Sequence, residues 1–311
     1  MRLPICAMIA GALLVLPAPA STQEPRTVEQ CKDLDGKQFS VDVRIDGCTA
    51  VIRSGQYQGK DLAWAYKNRG VAWYYKKDND RAIADLNEAI RLDPKFAAAY
   101  VDRAMVWDDK SDYDRAIADL NEAIRLDPKY ALAYSVRGGI LRDRKEYDRA
   151  IADFNEALRL DPKFAGAYYN RGAVWGDKND YDRAMADYQE AIRLEPKNGR
   201  FVAAPCWERA IANRDLQLAL AECDAALRLQ PNDWATWDSR GFVHLRLNRL
   251  DDAIADYDAA LKIDPKQASP LYGRGLAKLR KGDATGGNAD IAAAKAIKTD
   301  IAEDFAGYGM K

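Results

Sequence analysis

Arg81-Ala82-Ile83-Ala84-Asp85-Leu86-Asn87-Glu88-Ala89-Ile90-Arg91-Leu92-Asp93-Pro94-Lys95 is the stretch that decides the fold. The same fifteen residues return unchanged at Arg115 to Lys129. Near-copies occupy Arg149 to Lys163 and Arg183 to Lys197, each 34 residues after the last. A fixed period of that size marks stacked supersecondary units that bury a continuous core only in company. Prolines at 94, 128, 162, 196, 231 and 265 carry the period onward, with a single step of 35 between 196 and 231.

Inside one period, apolar and small residues recur at helical spacing in two blocks. In the first unit they are Tyr66, Gly70 and Trp73, then Ala82, Ile83, Leu86, Ala89 and Ile90. This predicts two amphipathic helices, over about 63–76 and 80–92. The small residues let the two helices approach closely, so Ala89→Phe should overpack the contact by about 1–3 kcal/mol. Asp93, Asp127, Asp161, Glu195 and Asp264 each precede a proline; Gln230 is the exception. An acidic residue before proline reads as the cap of the next helix, with proline in its first turn. Asp61 reads likewise as the cap of the helix from 63.

Residues 1–20 read as a secretory signal peptide: Arg2, the apolar run Ile5 to Leu16, then Ala18-Pro19-Ala20 ahead of Ser21. No cysteine follows the small residues, which argues against a lipid anchor, and no membrane insertion is expected after cleavage. Residues 21–42 lack a helical period and read as a loosely ordered lead-in. Ile45 to Ile52 looks like a worn second helix, and 55–59 like a loop. The lead-in with its half-repeat is thus 21–62, followed by four regular units over 63–198.

The fifth unit opens a divergent set over 199–299. It follows an inserted residue at Asn198-Gly199, and Pro205 and Trp207 break its first-helix pattern. Its first helix is expected to start late, with Pro205 in the first turn and a break near 198–205. In the seventh unit Gly287 replaces alanine and Thr299 replaces proline. Asp300 to Ala306 then reads as a short helix with capping-box spacing from Asp300 to Glu303, covering the last exposed core face in a terminal segment 300–311.

The chain has 311 residues, 31% of them charged, with a formal net charge of -1. That balance gives no electrostatic case for nucleic acid or an anionic membrane. A single histidine, His244, leaves almost no material for multi-histidine metal sites or Ser-His-Asp chemistry, and no catalytic residue, metal or cofactor is expected. Beyond the leader, Cys31 and Cys48 are 17 residues apart, as are Cys206 and Cys223. An even set in an exported chain suggests two disulfides, the second joining both helices of one unit. A loop of that length is worth about 3 kcal/mol in the chain-entropy model. The alternative is two pairs of buried thiols.

Arginine recurs at 69, 103, 137, 171, 240 and 274, with an aspartate 16 positions later each time. The pattern reads as an ion pair between the two helices of a unit rather than an anion-binding ladder. In the fifth unit Cys206 reads as taking the arginine position, with Glu222 at the acidic one. Trp73, Trp107 and Trp175 share one position and Tyr66, Tyr100, Tyr134 and Tyr168 another, which reads as core. His244 falls at the tryptophan position.

These residues resemble the tetratricopeptide repeat family, in an exported bacterial form, over roughly 63–300. The first unit matches with Tyr66, Gly70, Trp73, Ala82, Leu86, Ala89 and Pro94. The fourth matches with Tyr168, Gly172, Trp175, Ala184, Tyr188, Ala191 and Pro196. The resemblance implies an all-α right-handed solenoid of about seven helix-turn-helix units with a C-terminal capping helix. It also implies a concave binding face built from the first helices. Carried over residue by residue, that face contains Lys67, Val71, Tyr74 and Tyr75; Val101, Met105, Asp108 and Asp109; Gly139, Arg142 and Asp143; and Tyr169, Ala173 and Asp177. This mixture suits an extended peptide or an amphipathic helix. The carboxylate clamp of the family's chaperone-binding branch is not matched, because Val71 and Asp102 stand where it needs asparagine, although Lys67 agrees. The expected function is a secreted or periplasmic protein-interaction scaffold with a protein or peptide partner. An envelope enzyme using paired carboxylates, or a self-associating solenoid, is the alternative.

Overall fold

The structure, a computed structural model, describes residues 25–310. The signal-peptide reading of 1–20 lies outside the described residues. Within them every helix of the array belongs to an antiparallel pair except the last, and the chain divides into two compact units after Pro94.

The first unit holds α1 (Arg26–Lys32), α2 (Val41–Arg53), α3 (Ala63–Tyr75) and α4 (Asn79–Leu92). Here the lead-in reading needs correction: α1 packs on α2, and the Cys31–Cys48 disulfide joins them with both sulfurs buried. Seven residues are too few to display a 3.6-residue period, so the sequence hides this helix. Asn68 of α3 donates to the Cys31 carbonyl at 3.0 Å and ties the stapled pair to the first repeat. Asp61 lies in a 3-10 turn, Gly59–Leu62, and α3 begins without a side-chain cap.

The second unit holds six further pairs: α5 (Ala97–Asp109) and α6 (Tyr113–Leu126), α7 (Ala131–Asp143) and α8 (Tyr147–Leu160), α9 (Ala165–Asp177) and α10 (Tyr181–Leu194), α11 (Gly199–Ala212) and α12 (Leu216–Leu229), α13 (Trp234–Arg246) and α14 (Leu250–Ile263), and α15 (Ala268–Arg280) and α16 (Ala284–Ile297). A final helix, α17 (Ile301–Gly307), closes the array. Each pair turns through three residues, and in every pair but α11–α12 the middle one is left-handed, as at Ser111, Lys145 or Asn179. The third turn residue caps the second helix at Asp112, Asp180 and Asp283, which accept from the backbone N–H three residues on; Asp215 makes no such bond.

The acid before each proline acts differently from the expectation. Asp127, Asp161 and Asp264 each end the preceding helix, and each accepts at 3.0 Å from the N–H two residues on. Proline lies in the inter-repeat turn rather than in a first helical turn, where its missing N–H and fixed φ stop the helix. The following helices start after Phe96, Tyr130 and Phe164 with no side-chain cap. Asp300 also makes no side-chain cap bond to α17.

Two contacts define each helix pair. The arginine donates to both carboxylate oxygens of its aspartate at 2.6–2.9 Å in the six repeats that have it. Its remaining nitrogen reaches the previous hairpin: Arg137 to Asn121, Arg171 to Asn155, Arg240 to Asp224 and Arg274 to Asp258, each at 2.6 Å. The residue after the arginine is small because the opposite helix comes close. A Cβ on Gly138, Gly172 or Gly241 would lie within 3.0 Å of the ring of Phe154, Tyr188 or Tyr257. The tryptophans are half-buried rather than enclosed, and arginines of the second helix stack on them, Arg115 on Trp107 at 3.7 Å and Arg183 on Trp175 at 3.6 Å.

The fifth pair keeps this scheme with new parts. α11 begins 34 residues after α9, continues through Pro205, and is one residue longer. The inserted residue therefore lengthens α11 at its far end, and the expected late start and break near 198–205 are absent. Packing against α10, α12 and α13 holds the helix through the proline. Irregularity appears instead at the next turn, where both Asn213 and Asp215 are left-handed. In this register Pro205, not Cys206, replaces the arginine. Cys206 takes the small-residue position and Cys223 the facing aromatic one, so their disulfide spans the closest approach of the two helices. Arg209, one turn on, bonds Glu222 at 3.0 Å in place of the lost pair.

Gly172→Ala should lower stability by about 1–3 kcal/mol, since the new methyl meets both Tyr188 and the Ala184 carbonyl. Adding Tyr188→Leu, which recreates the Ala104/Leu120 pairing of an earlier repeat, should restore part of the loss. Chemical denaturation of the two single variants and the double variant measures the coupling, and simple additivity would contradict the packing described.

Candidate binding face of the second compact unit

The predicted face residues fall into three groups. In the first compact unit Lys67, Val71 and Tyr74 are half-buried and Tyr75 is exposed, with Arg44 over the Tyr75 ring at 5.4 Å. Val101 is a correction: it is wholly buried with Ala104, Leu120 and Ile140, and serves the core. In the second unit Met105, Asp108, Arg142, Tyr169 and Ala173 are half-buried, Asp109, Asp143 and Asp177 are exposed, and Gly139 borders open space.

Four of these come together. Arg142, Tyr169, Ala173 and Asp177 line a cavity of about 740 Å³. Arg142 Nε donates to Asp177 at 2.6 Å. Tyr169 stacks on Phe201 at 5.2 Å, and Arg200 covers it at 4.8 Å. Four further lining residues were not assigned to the face from sequence: Tyr188, Trp207, Glu208 and, from beyond α17, Tyr308. Trp207 could have been found, because in the observed register it follows Val71, Met105, Gly139 and Ala173 at one repeat position. Reading the fifth unit one residue out of step concealed it.

Burial raises the proton affinity of four acids of the second unit, Glu222 and, more strongly, the three that follow. Glu208 is pushed up to about 7 by burial and then by the Asp177 charge. Asp108 is raised to about 6 by burial, with Asp143 and Asp109 adding to it. Asp238 is raised to about 7 by burial, against a hydrogen bond from the Ser269 hydroxyl at 2.7 Å. His244 lies 3.6 Å from Asp256 in a half-buried setting, and burial lowers its pKa.

A piece of polypeptide already occupies part of this face. Phe305 of α17 packs edge-on against Phe242 of α13 and against Tyr272 of α15. Tyr308 meets Trp207 of α11 at 5.4 Å, and Arg246 donates to the Tyr308 carbonyl. Trp207, Phe242 and Tyr272 all stand at face positions of their repeats. The terminal segment therefore closes the array and also crosses its first-helix face. On its other flank, Trp207, Trp234, Asp238 and Phe305 line a second cavity of about 690 Å³.

Among the described residues no helix is long and apolar enough to cross a membrane, and no group of three or more His, Cys, Asp or Glu is placed to hold a metal ion. The architecture is that of an all-α repeat solenoid, a class whose surfaces bind other chains.

Comparison with known proteins gives the family. Models described as tetratricopeptide repeat match residues 63–96, 97–130, 165–198 and 208–269, and one described as TPR repeat matches 138–176. The chain belongs to the tetratricopeptide repeat family. No curated protein matches it by sequence. Among solved structures it is similar to a tetratricopeptide repeat protein from Parabacteroides merdae, at 17% identity, with a TM-score of 0.63 over 79% of this chain and 98% of that one. It is also similar to a chain of the APC/C hetero-tetramer Cut9-Hcn1, at 17% identity and TM-score 0.70 over 92% and 55%, and to Pseudomonas aeruginosa pilF, at 19% and 0.58 over 68% and 97%. At these identities the likeness is one of fold.

A carboxyl group whose folded pKa lies above its unfolded value of about 4.5 loses stabilising weight as pH rises through the window up to 7, because the folded state holds the proton more tightly. Relative to the wild type, Glu208→Val should therefore gain about 2 kcal/mol on going from pH 4.5 to pH 8. Denaturation midpoints of both proteins at the two pH values test this, and a pH-independent difference would contradict it.

Proposed function

We propose that the protein is an exported interaction scaffold that holds an extended peptide or amphipathic helix on the first-helix face of its second compact unit. The family supports a protein-interaction scaffold in general terms. The observation that carries the finer reading is the terminal segment: Phe305 and Tyr308 are seated on face positions of three successive repeats, so this surface accepts polypeptide with aromatic anchors. A preformed face of this kind binds with little ordering cost on the scaffold side. Export is supported by the leader-like residues 1–20 and by two disulfides, which persist in oxidising compartments.

Proteins of this family are generally non-enzymatic scaffolds. An acid–base pair would need two facing carboxylates free to exchange a proton. Glu208 feels the Asp177 charge, but Arg142 holds Asp177, so these two do not make such a pair.

A photo-crosslinking amino acid placed at Ala173 of the protein expressed in its own host should form adducts with a discrete envelope protein, and Tyr169→Ala should weaken them severalfold. N-terminal sequencing of the purified chain should begin near Ser21. Adducts unaffected by Tyr169→Ala would rule out this face, and a chain retaining Met1 in the cytoplasm would rule out export.

A further inference from the structure

We propose that the cavity around Glu208 is a pocket for one basic side chain, an arginine or lysine, of a peptide laid along the first-helix face. This rests on the peptide-binding reading above and names the chemistry that the face selects.

The repeats themselves supply the comparison. The position of Glu208 on α11 corresponds to Ala72, Val106, Ile140, Val174, Val243 and Ala277 in the other six first helices, and all six are buried and apolar. Glu208 is itself only 5% exposed, yet among the described residues its carboxylate has no hydrogen-bond or ion-pair partner, and it lines the 740 Å³ cavity. An acid in a core position without a partner is costly to fold. A cation arriving from outside would supply what the fold leaves out.

A second departure, in the neighbouring repeat, accompanies the first. Gly176 of α9 stands where other repeats carry Tyr74, Asp108, Arg142, Ala210, Leu245 and Leu279. A Cβ there would lie 2.6 Å from Glu208 Oε2. Glycine thus leaves the room the carboxylate occupies, and the two positions form the pocket floor together.

The surroundings favour positive charge. The walls include the rings of Tyr188, Trp207 and Tyr308, which attract a guanidinium or ammonium group through their faces. Glu303 adds negative charge among the lining residues, while Asp177 and Asp304 are taken by Arg142 and Lys298. Neither cation of the cavity serves Glu208: Arg142 bonds Asp177, and Arg214 lies over Tyr181 at 4.6 Å.

A displayed random-peptide library selected against residues 21–311 tests the inference. Binders should be enriched in arginine or lysine at one position, and the enrichment should disappear against Glu208→Gln. Glu208→Val, which restores the residue type of the neighbouring repeats, should fold normally by circular dichroism and lose the same enrichment. Binders that show no basic position, or that keep it against both variants, would overturn the pocket while leaving the peptide face standing. Recovery of no binders, with spermidine bound instead in calorimetry, would overturn the peptide reading and with it this proposal, leaving a site for a free amine.

Discussion

The array depends on one interaction, the two-pronged bond between the first-helix arginine and the aspartate 16 residues later. It sets the rotation of one helix against the other, and through the third nitrogen of Arg137, Arg171, Arg240 and Arg274 it ties those hairpins of the second compact unit to the ones before them. With the carboxylates about nine-tenths covered, removing either partner strands a charge, which typically costs about 3–5 kcal/mol, far more than the intact pair adds over an apolar contact. Specification of geometry is the better account of its repetition. The small residue beside the arginine follows from it, because a helix pair held this closely leaves no room for a Cβ against Phe154, Tyr188 or Tyr257.

The fifth repeat shows what replaces the pair when it is lost. Pro205 removes the arginine, and three substitutes appear at once: a disulfide at the point of closest approach, Arg209 bonding Glu222 from one turn away, and a longer helix with an altered turn. Freed from the arginine's geometry, this hairpin carries Trp207 where the hairpin before it carries Ala173, and Glu208 where both neighbours bury a valine. The cavities lie beside this irregular member.

The fold was legible because its cause is local and repeated. Helical spacing in two blocks, small residues at the crossing point and a proline at each junction recur often enough to fix the topology. What escaped had physical reasons. Helix α1 has only seven residues, about two turns, too few for the helical period to repeat visibly. The Asp-Pro step looks the same whether it ends one helix or begins the next, and only the φ/ψ of the turn decides. The thirty-fifth residue of the fifth repeat could be placed at either end of α11, and choosing the wrong end moved Cys206, Trp207 and Glu208 by one position. A one-residue shift on a helix turns a side chain by about 100°, enough to exchange a face position for a core one.

The face residues vary for the reason that the second helices do not. A second-helix residue such as Ala116, Leu120 or Ala123 is wholly buried and touches parts of its own hairpin and of the next, so any change meets close-packed atoms. One first-helix face position runs through Lys67, Val101, Ser135, Tyr169, Ala203, Asp238 and Tyr272 in successive repeats, and no common packing demand unites those side chains. Val101 turning into the core and Tyr169 stacking on Phe201 show that each is settled by its own surroundings. Copying of the second helix therefore records what a stack of hairpins requires. Divergence along the first helices is where binding chemistry can be written without unmaking the stack, and an unpaired acid such as Glu208 is tolerable there because the six regular pairs hold the array around it.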